Sequence, residues 1–167
     1  MKKLFLTLLF SIPVLASAQP GFRSVKGNMV WERSFPADNT NIVALLDKQP
    51  NLKVGTFMDN VYKGSAAPAK NTCQSGSGLM KNDCKYDFII IVNPDSYVVK
   101  VTNLKMLEKF GPMGAKIIAN PCEKHYVYNG ALKSDEKSVG DLGCLDNYLS
   151  SIFSGTTTST GNALTAN

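Results

Sequence analysis

Histidine and tryptophan are scarce in this chain, which has one residue of each among its 167. After residue 18 no apolar run approaches the length of about 20 residues that a membrane-spanning helix needs. The sequence also has no C-x-x-C and no paired set of cysteine and histidine, so the usual structural zinc sites are excluded. No segment matches a motif that specifies a reaction. We therefore expect a protein that is not an enzyme and that uses no cofactor or metal.

The N-terminus has the three parts of a cleavable export signal. Residues 2–3 are lysines, residues 4–15 are almost wholly apolar, and residues 16–18 form an A-x-A cleavage site. The next residue is Gln19 rather than cysteine, which argues against a lipid anchor. We predict a signal peptide at 1–18 and a mature protein in the periplasm or outside the cell; the alternative is an uncleaved N-terminal anchor.

The mature chain is mildly basic and of single-domain size. Cleavage removes two of the 18 Lys and Arg residues and none of the 13 acidic ones, which leaves a charge of about +3 on 149 residues. That length suits one domain with its own core and no transmembrane segment. Because the lysines are scattered rather than clustered in a stripe, we expect no nucleic-acid partner.

All four cysteines lie in the mature part of the chain. An even number in an exported protein predicts two disulfides. Three pairings are open, and we favour Cys73 with Cys84 and Cys122 with Cys144 because each closes a local loop. A bond that closes a loop of about a dozen residues stabilises a protein by on the order of 3 kcal/mol.

The first half of the mature chain carries one strand signal and one helix signal. Residues 19–28 are polar and are interpreted as a lead-in. Residues 29–35 alternate, with Trp31 on the apolar side, and predict a strand. Residues 41–48 predict a short helix. Weaker strand patterns occupy 52–58 and 60–65, and the stretch 64–83 has the composition of a loop.

The strongest local signal is a hairpin. Residues 85–92 and 97–104 are rich in β-branched and aromatic residues and flank the turn sequence Asn-Pro-Asp-Ser. The first arm is apolar on both faces except at Asp87, which predicts a central strand. The second arm alternates, so we expect one face of the sheet to cover a core and the other to be partly solvated.

The last third of the chain combines an irregular stretch with a helix. Residues 105–133 contain several turn signals and are predicted to be irregular, with short strands left open at 117–118 and 126–128. Ser138 is placed to cap a final helix, with Asp141 in the capping-box position. We expect the domain to span 29–154 and the Thr- and Ser-rich residues 155–167 to be a disordered tail. The helix has one apolar stripe, made of Leu142, Leu145, Leu149, Ile152 and Phe153.

The chain resembles a family of small secreted bacterial domains. The resemblance rests on the signal peptide, on Trp31, on the run KYDFIIIVNPDSYVVKVTNL and on the order of elements, which is one strand, one helix, four strands and a second helix. That family is of unknown function and has a fold like one repeat of the TATA-box-binding protein. The likeness covers about residues 29–153. It implies an α+β fold with a curved antiparallel sheet of four to six strands and two helices on one face. It implies no DNA binding, because the chain is exported and weakly basic and because a fold does not carry a function by itself.

The candidate binding residues lie near the end of the irregular stretch. Tyr126 and Tyr128 are the aromatic pair that we expect on the surface, and Lys124 and His125 lie beside them in the sequence. Loops on a rigid scaffold often carry function, so we expect the working surface in the segments 64–84 and 105–133.

These observations predict an exported, non-enzymatic domain that binds or scaffolds an unidentified ligand, with an envelope or secreted protein as the expected class of partner. One alternative is an inhibitor or immunity-type protein that blocks a secreted enzyme with one of the two loops. A second alternative is a small hydrolase with Cys122 as nucleophile and His125 as base, which requires an unpaired Cys122.

Overall fold

The fold is α+β, as the sequence predicts. The computed structural model describes residues 21–37, 41–73 and 77–154, so the predicted signal peptide and the predicted tail lie outside the described residues. Single 3-10 turns occupy Gly78–Lys81 and Pro112–Gly114. The strands and helices are β1 (Phe22–Val25), β2 (Asn28–Pro36), α1 (Ile42–Asp47), β3 (Leu52–Met58), β4 (Val61–Ala69), β5 (Asp83–Val92), β6 (Ser96–Phe110), β7 (Lys116–Pro121), α2 (Glu123–Tyr126), β8 (Val127–Tyr128), β9 (Ala131–Leu132) and α3 (Glu136–Phe153).

Seven strands form one antiparallel sheet in the order β1-β2-β6-β5-β4-β3, and β7 is a further neighbour of β6. Strand β6 is 15 residues long. Its first half pairs with β2 and its second half pairs with β7, and Asn103, with φ of +53°, lies at the change of partner. Strand β5 is central, as its apolar pattern predicts. Strands β8 and β9 form a separate hairpin.

The core lies between one face of the sheet and α3. The ring of Phe153 lies 6.2 Å from that of Trp31 and 5.7 Å from that of Phe88. The hydroxyl of Tyr97 donates a 2.6 Å hydrogen bond to the backbone carbonyl of Phe153, which fixes the end of the helix over the sheet. Each large apolar side chain buried in this way stabilises the fold by about 1.5–3 kcal/mol. The predicted stripe of α3 is confirmed: its members are buried or half-buried.

The two faces of the sheet differ, as the alternation in the hairpin predicts. In β5 the side chains of Tyr86, Phe88 and Ile90 are buried, whereas Asp87 and Ile91 on the opposite face are exposed. Strand β6 alternates in the same way. One face is therefore covered by the core and the other faces solvent.

Three stretches predicted to be mostly irregular contain strand residues. In the predicted loop 64–83, strand β4 continues as far as Ala69. Residues 22–25, inside the predicted lead-in, form β1, which pairs with β2 and buries Phe22. Within the segment 105–133, β6 runs on to Phe110 and pairs with β7. These strands are short or polar and are held by backbone hydrogen bonds to a neighbour, which need no apolar periodicity. The sheet therefore has seven strands rather than four to six, and a third, one-turn helix, α2, is added.

The helix starts also differ from prediction by a few residues. Asn41 caps α1, because its side-chain oxygen accepts hydrogen bonds from the backbone of Val43 and Ala44. Asp135, not Ser138, caps α3: its carboxylate accepts a 3.0 Å bond from the backbone N–H of Ser138. Both caps satisfy donors that the first helical turn leaves unpaired.

The predicted disulfide pairing is wrong. Cys73 is bonded to Cys144, 71 residues away, and Cys84 and Cys122 are free thiols buried in the core. Cys84 is an inward-facing residue of the central strand β5, next to the hydroxyl of Tyr148 at 3.8 Å. Cys73 lies on the segment that passes α3, so the bond ties a loop to the helix rather than closing a local turn.

Candidate functional site

A cleft of about 430 Å³ lies at the N-terminal end of α3. One wall is the segment 77–79, and the other is formed by α2 and by the residues that lead into α3. The cleft therefore lies between the two segments that the sequence indicates as a working surface. We call it the α3 cleft. The side chains that matter below are Ser77, Lys124, His125, Lys133, Lys137 and Asp141.

Asp141 forms the base of the α3 cleft and joins its two walls. Its side chain is buried, with the residue 1% exposed. One carboxylate oxygen accepts a 3.1 Å hydrogen bond from the backbone N–H of Ser77. The other accepts hydroxyl bonds from Ser77 at 2.7 Å and from Tyr126 at 2.9 Å. Three donors thus satisfy the carboxylate, and one side chain fixes the separation of both walls.

The disulfide reinforces the same junction. Cys144 lies three residues after Asp141 on α3, and Cys73 lies on the segment that leads towards Ser77. The covalent bond and the carboxylate therefore attach the same loop to neighbouring turns of one helix. This wall of the α3 cleft is part of the scaffold and not a free loop.

Asp135, on the rim of the α3 cleft, also accepts hydrogen bonds from within the chain. The backbone N–H and the hydroxyl of Ser138 donate to its carboxylate at 3.0 Å and 2.7 Å. These hydrogen bonds, the backbone bond above all, hold the pKa of Asp135 below its ordinary value. Asp135 is therefore an ionised helix cap at neutral pH.

Three lysines supply the positive charge of the α3 cleft. In the part of the chain that the structure describes, the side chains of Lys124, Lys133 and Lys137 form no ion pair within 4 Å. The backbone N–H of Lys133 donates a 2.9 Å bond to the carbonyl of Tyr126, which places this lysine beside α2. The cleft thus holds three lysines that form no ion pair within 4 Å, while its two carboxylates are already hydrogen-bonded.

The structure separates the four residues predicted to bind. Lys124 and His125 line the α3 cleft with exposed side chains. Tyr126 is buried, and burial above all raises the pKa of its hydroxyl. Tyr128 is 69% exposed and does not line the cleft. The expected aromatic surface pair is therefore wrong, because Tyr126 ends a helical turn and the strand alternation that would pair it with Tyr128 does not apply.

The free thiol of Cys122 lacks the surroundings of a nucleophile. It is fully buried, and burial above all raises its pKa, as burial raises the pKa of Cys84 to about 11. Among the described residues no hydrogen bond joins the Cys122 thiol to His125, which is exposed. A reactive cysteine needs a lowered pKa and a base in contact.

Sequence reasoning did not identify Ser77, Asp135, Lys133 and Lys137 as members of the site, and it considered Asp141 only in the capping-box position of the final helix. One signal was available for Asp141. It precedes Leu142 and lies one turn before Leu145, so it falls at the buried side of the helix. A buried carboxylate needs donors, and this requirement predicts a polar network there.

The described ranges also lack a metal cluster and a membrane-spanning helix. Residues 21–37, 41–73 and 77–154 contain no group of three or more His, Cys, Asp or Glu side chains that would hold a metal ion. None of the helices in these ranges combines the length and the apolar composition needed to cross a membrane.

Comparison with known proteins gives two structural neighbours. No family model and no curated protein matches the chain. The structure is similar to a TBP-like protein from Parabacteroides distasonis ATCC 8503, with a TM-score of 0.47 and 13% identity over 78% of this chain and 94% of that one. It is also similar to a DUF4468 family protein from Bacteroides ovatus ATCC 8483, with a TM-score of 0.45 and 12% identity over 84% of this chain and 94% of that one. Both neighbours are bacterial, and the first bears the TBP-like description to which the sequence resemblance pointed.

Proposed function

We propose that the protein is an exported, non-enzymatic binding domain that holds its ligand through an anionic group in the α3 cleft. The observation that carries the proposal is that the negative groups of the cleft have bonding partners within the chain, whereas its positive groups form no ion pair. The carboxylates of Asp135 and Asp141 are engaged by donors of the chain itself, whereas three lysines have no ion-pair partner among the described residues.

A carboxylate or phosphate group is the chemical class that fits this arrangement. Cations that line a concave surface focus their field into it and raise the local concentration of anions. Ammonium groups bind such anions as point charges through up to three donors each. Because Asp141 and the disulfide hold the walls, the lysines are presented from a fixed frame, which lowers the ordering cost of binding.

Two features support export and the absence of catalysis. The N-terminal sequence has the features of an export signal, and a disulfide is compatible with an oxidising compartment. The buried Cys122 with its raised pKa is a poor nucleophile, so a binding role is favoured over the hydrolase alternative.

The test is a titration of isotope-labelled protein with citrate and with inorganic phosphate, followed by NMR at constant ionic strength. We expect the largest shifts at the amides of residues 77–79 and 133–138. The variant Lys124→Gln/Lys137→Gln should weaken binding by about tenfold, since two attractive charge contacts are lost.

The charge-matched control is Lys48→Gln/Lys70→Gln, which alters two exposed lysines outside the α3 cleft. It should leave the affinity within about twofold of the wild type. The proposal fails if the shifts are spread over the lysines of the whole surface, or if the control variant weakens binding as much as the cleft variant.

A further inference from the structure

The solvent-facing side of the sheet is a second surface, distinct from the α3 cleft. It consists of four cross-strand rows, which pass through Ile91, Ile89, Asp87 and Lys85 of the central strand. We call this surface the outer face. Of these four side chains Lys85, Asp87 and Ile91 are exposed and Ile89 is half-buried, so no described element covers them.

The outer face is strongly basic. Its acidic residues are Glu32 and Asp87. Glu32 pairs with Arg23 and Lys100, and Asp87 accepts a 3.0 Å hydrogen bond from the side chain of Asn103. The basic residues are Arg23, Lys53, Lys63, Lys85, Lys100 and Lys105. Six cations against two anions give this face an excess of four positive charges. The formal charge of the whole chain is +5.

One pair on this face places two like charges opposite each other, with Asp87 two residues from one of them on the same strand. Lys85 lies directly opposite Lys105 in the pairing of β5 with β6. Like charges directly opposite on one face of a sheet are destabilising. An anion bound between the two ammonium groups would remove this repulsion, so the position favours a negatively charged occupant.

An aliphatic row borders the basic rows. Met58 pairs with Val61, Val61 pairs with Ile91, and Ile91 pairs with Val98 across four neighbouring strands. Met58 is 71% exposed and Ile91 is 43% exposed. Successive rows are about 7 Å apart, because side chains on one face of a strand recur every second residue. The surface therefore offers aliphatic contacts and positive charge at the spacing of an extended peptide.

The composition of the face distinguishes among anionic partners. No aromatic side chain projects from these four rows in the described strands, so the stacking platform on which single-stranded nucleic acids bind is missing. The aliphatic row and the lysines beside it are instead complementary to aliphatic and acidic side chains. A segment of a protein supplies both kinds of side chain. We infer that the outer face docks an acidic, aliphatic segment of a partner protein, with its carboxylates on Lys63, Lys85 and Lys105 and its apolar side chains on Met58 and Ile91.

The test uses a synthetic peptide of alternating glutamate and valine, with a lysine–valine peptide as its control. Binding is measured by fluorescence anisotropy, and the site is mapped by NMR. We expect the glutamate–valine peptide to bind and to shift the amides of residues 85–91 and 98–105. Binding should weaken as salt is raised, because the contacts are exposed ion pairs.

The decisive variant is Lys63→Glu/Lys85→Glu. The new residue at 85 faces Lys105 and removes the like-charge pair, so this variant is expected to fold, which circular dichroism verifies. It should bind about tenfold more weakly, because two contacts change from attraction to repulsion. Lys48→Glu/Lys70→Glu makes the same change of net charge elsewhere and should bind within about twofold of the wild type. A second variant, Ile91→Ser, keeps the charge and should also weaken binding.

The inference is overturned if both double variants weaken binding equally, since the attraction is then non-specific, or if the peptide shifts the residues of the α3 cleft instead. It is also overturned if heparin or vesicles of phosphatidylglycerol displace the peptide from residues 85–105 and bind more tightly. The partner would then be a polysaccharide or a membrane.

Discussion

Asp141 and Asp146 lie five residues apart on α3 and are 1% and 4% exposed, yet they stabilise different parts of the molecule. Asp146 accepts a 2.7 Å hydrogen bond from the indole N–H of Trp31 and a 2.7 Å bond from the guanidinium of Arg33. Both donors belong to β2, so this carboxylate seals the helix onto one strand. Asp141 instead accepts from Ser77 and Tyr126, which belong to two separate segments.

The donors explain why one end of α3 is core and the other carries a cleft. Asp146 is paired in direct contact with Arg33, so these two charges compensate each other. Asp141 has neutral donors, and the lysines around it keep their charges unpaired. Two buried carboxylates on one helix can therefore have different roles, which depend on whether a cation is among their donors.

The largest expected effect is the loss of the disulfide near Asp141. Cys73→Ser/Cys144→Ser should lower the free energy of unfolding by about 4 kcal/mol, because the bond closes a long loop and so restricts the unfolded chain. Urea denaturation measures the change. Hydrogen exchange should show the protection of residues 77–79 falling more than that of residues around Asp146.

Thiol titration provides the control for this prediction. The native wild-type protein should expose no thiol, and the unfolded protein should react at two, Cys84 and Cys122. Detection of no thiol after unfolding would show a second disulfide and would contradict the pairing described above.

Replacing each carboxylate by its amide tests the comparison directly. Asp146→Asn should lower the free energy of unfolding by about 2–3 kcal/mol, because a charged hydrogen-bonded pair is broken while Arg33 stays partly solvated. Asp141→Asn should cost about 1–2 kcal/mol, since only bonds to neutral donors are weakened. Denaturation of the two variants side by side measures both. A larger loss for Asp141→Asn would reverse the assignment of core and cleft.

Single hydroxyl groups give a smaller effect. Tyr126→Phe removes one donor from Asp141 and should lower the free energy of unfolding by about 1 kcal/mol. Tyr86→Phe is the matched control, because the Tyr86 hydroxyl is buried without a partner among the described residues. Removing it should leave stability unchanged or raise it. If thermal unfolding shows the same loss for both variants, the bond from Tyr126 to Asp141 contributes nothing specific.

The core-facing strands and the helix that packs on them can be predicted from the sequence, because the patterns of apolar residues that indicate them are local. The central strand β5, the alternation in β6 and the stripe from Leu142 to Phe153 depend on burial, and burial selects residue type at each position. The strands β1 and β7 depend instead on a free neighbour in the sheet. Their own residues carry little apolar pattern, so β1 was predicted as lead-in, and β7 was foreseen only as a short strand left open at 117–118 in an irregular stretch.

The candidate site depends on contacts between distant segments, and these leave little trace in a single sequence. Lys124 and His125 were predicted from their position beside tyrosines, and both line the α3 cleft. Ser77 meets Asp141 across 64 residues, and Cys73 meets Cys144 across 71. The disulfide prediction was wrong because it assumed that each cysteine pairs with a near neighbour in the sequence. The entropic cost of closing a loop rises only slowly with loop length, so it does not select a near partner over a distant one.

The smallest expected effect is the pH dependence of the cap at Asp135, on the rim of the α3 cleft. Hydrogen bonds from Ser138 lower the pKa of this carboxyl, so its protonated form is disfavoured in the folded state. The cap therefore adds stability at pH values above the ordinary carboxyl pKa. This stability is lost as the pH falls through the lowered value. Asp135→Asn should flatten the acid side of the stability profile. NMR titration of the Asp135 carboxyl measures the pKa directly, and an ordinary value there would show that the bonds from Ser138 do not persist in solution.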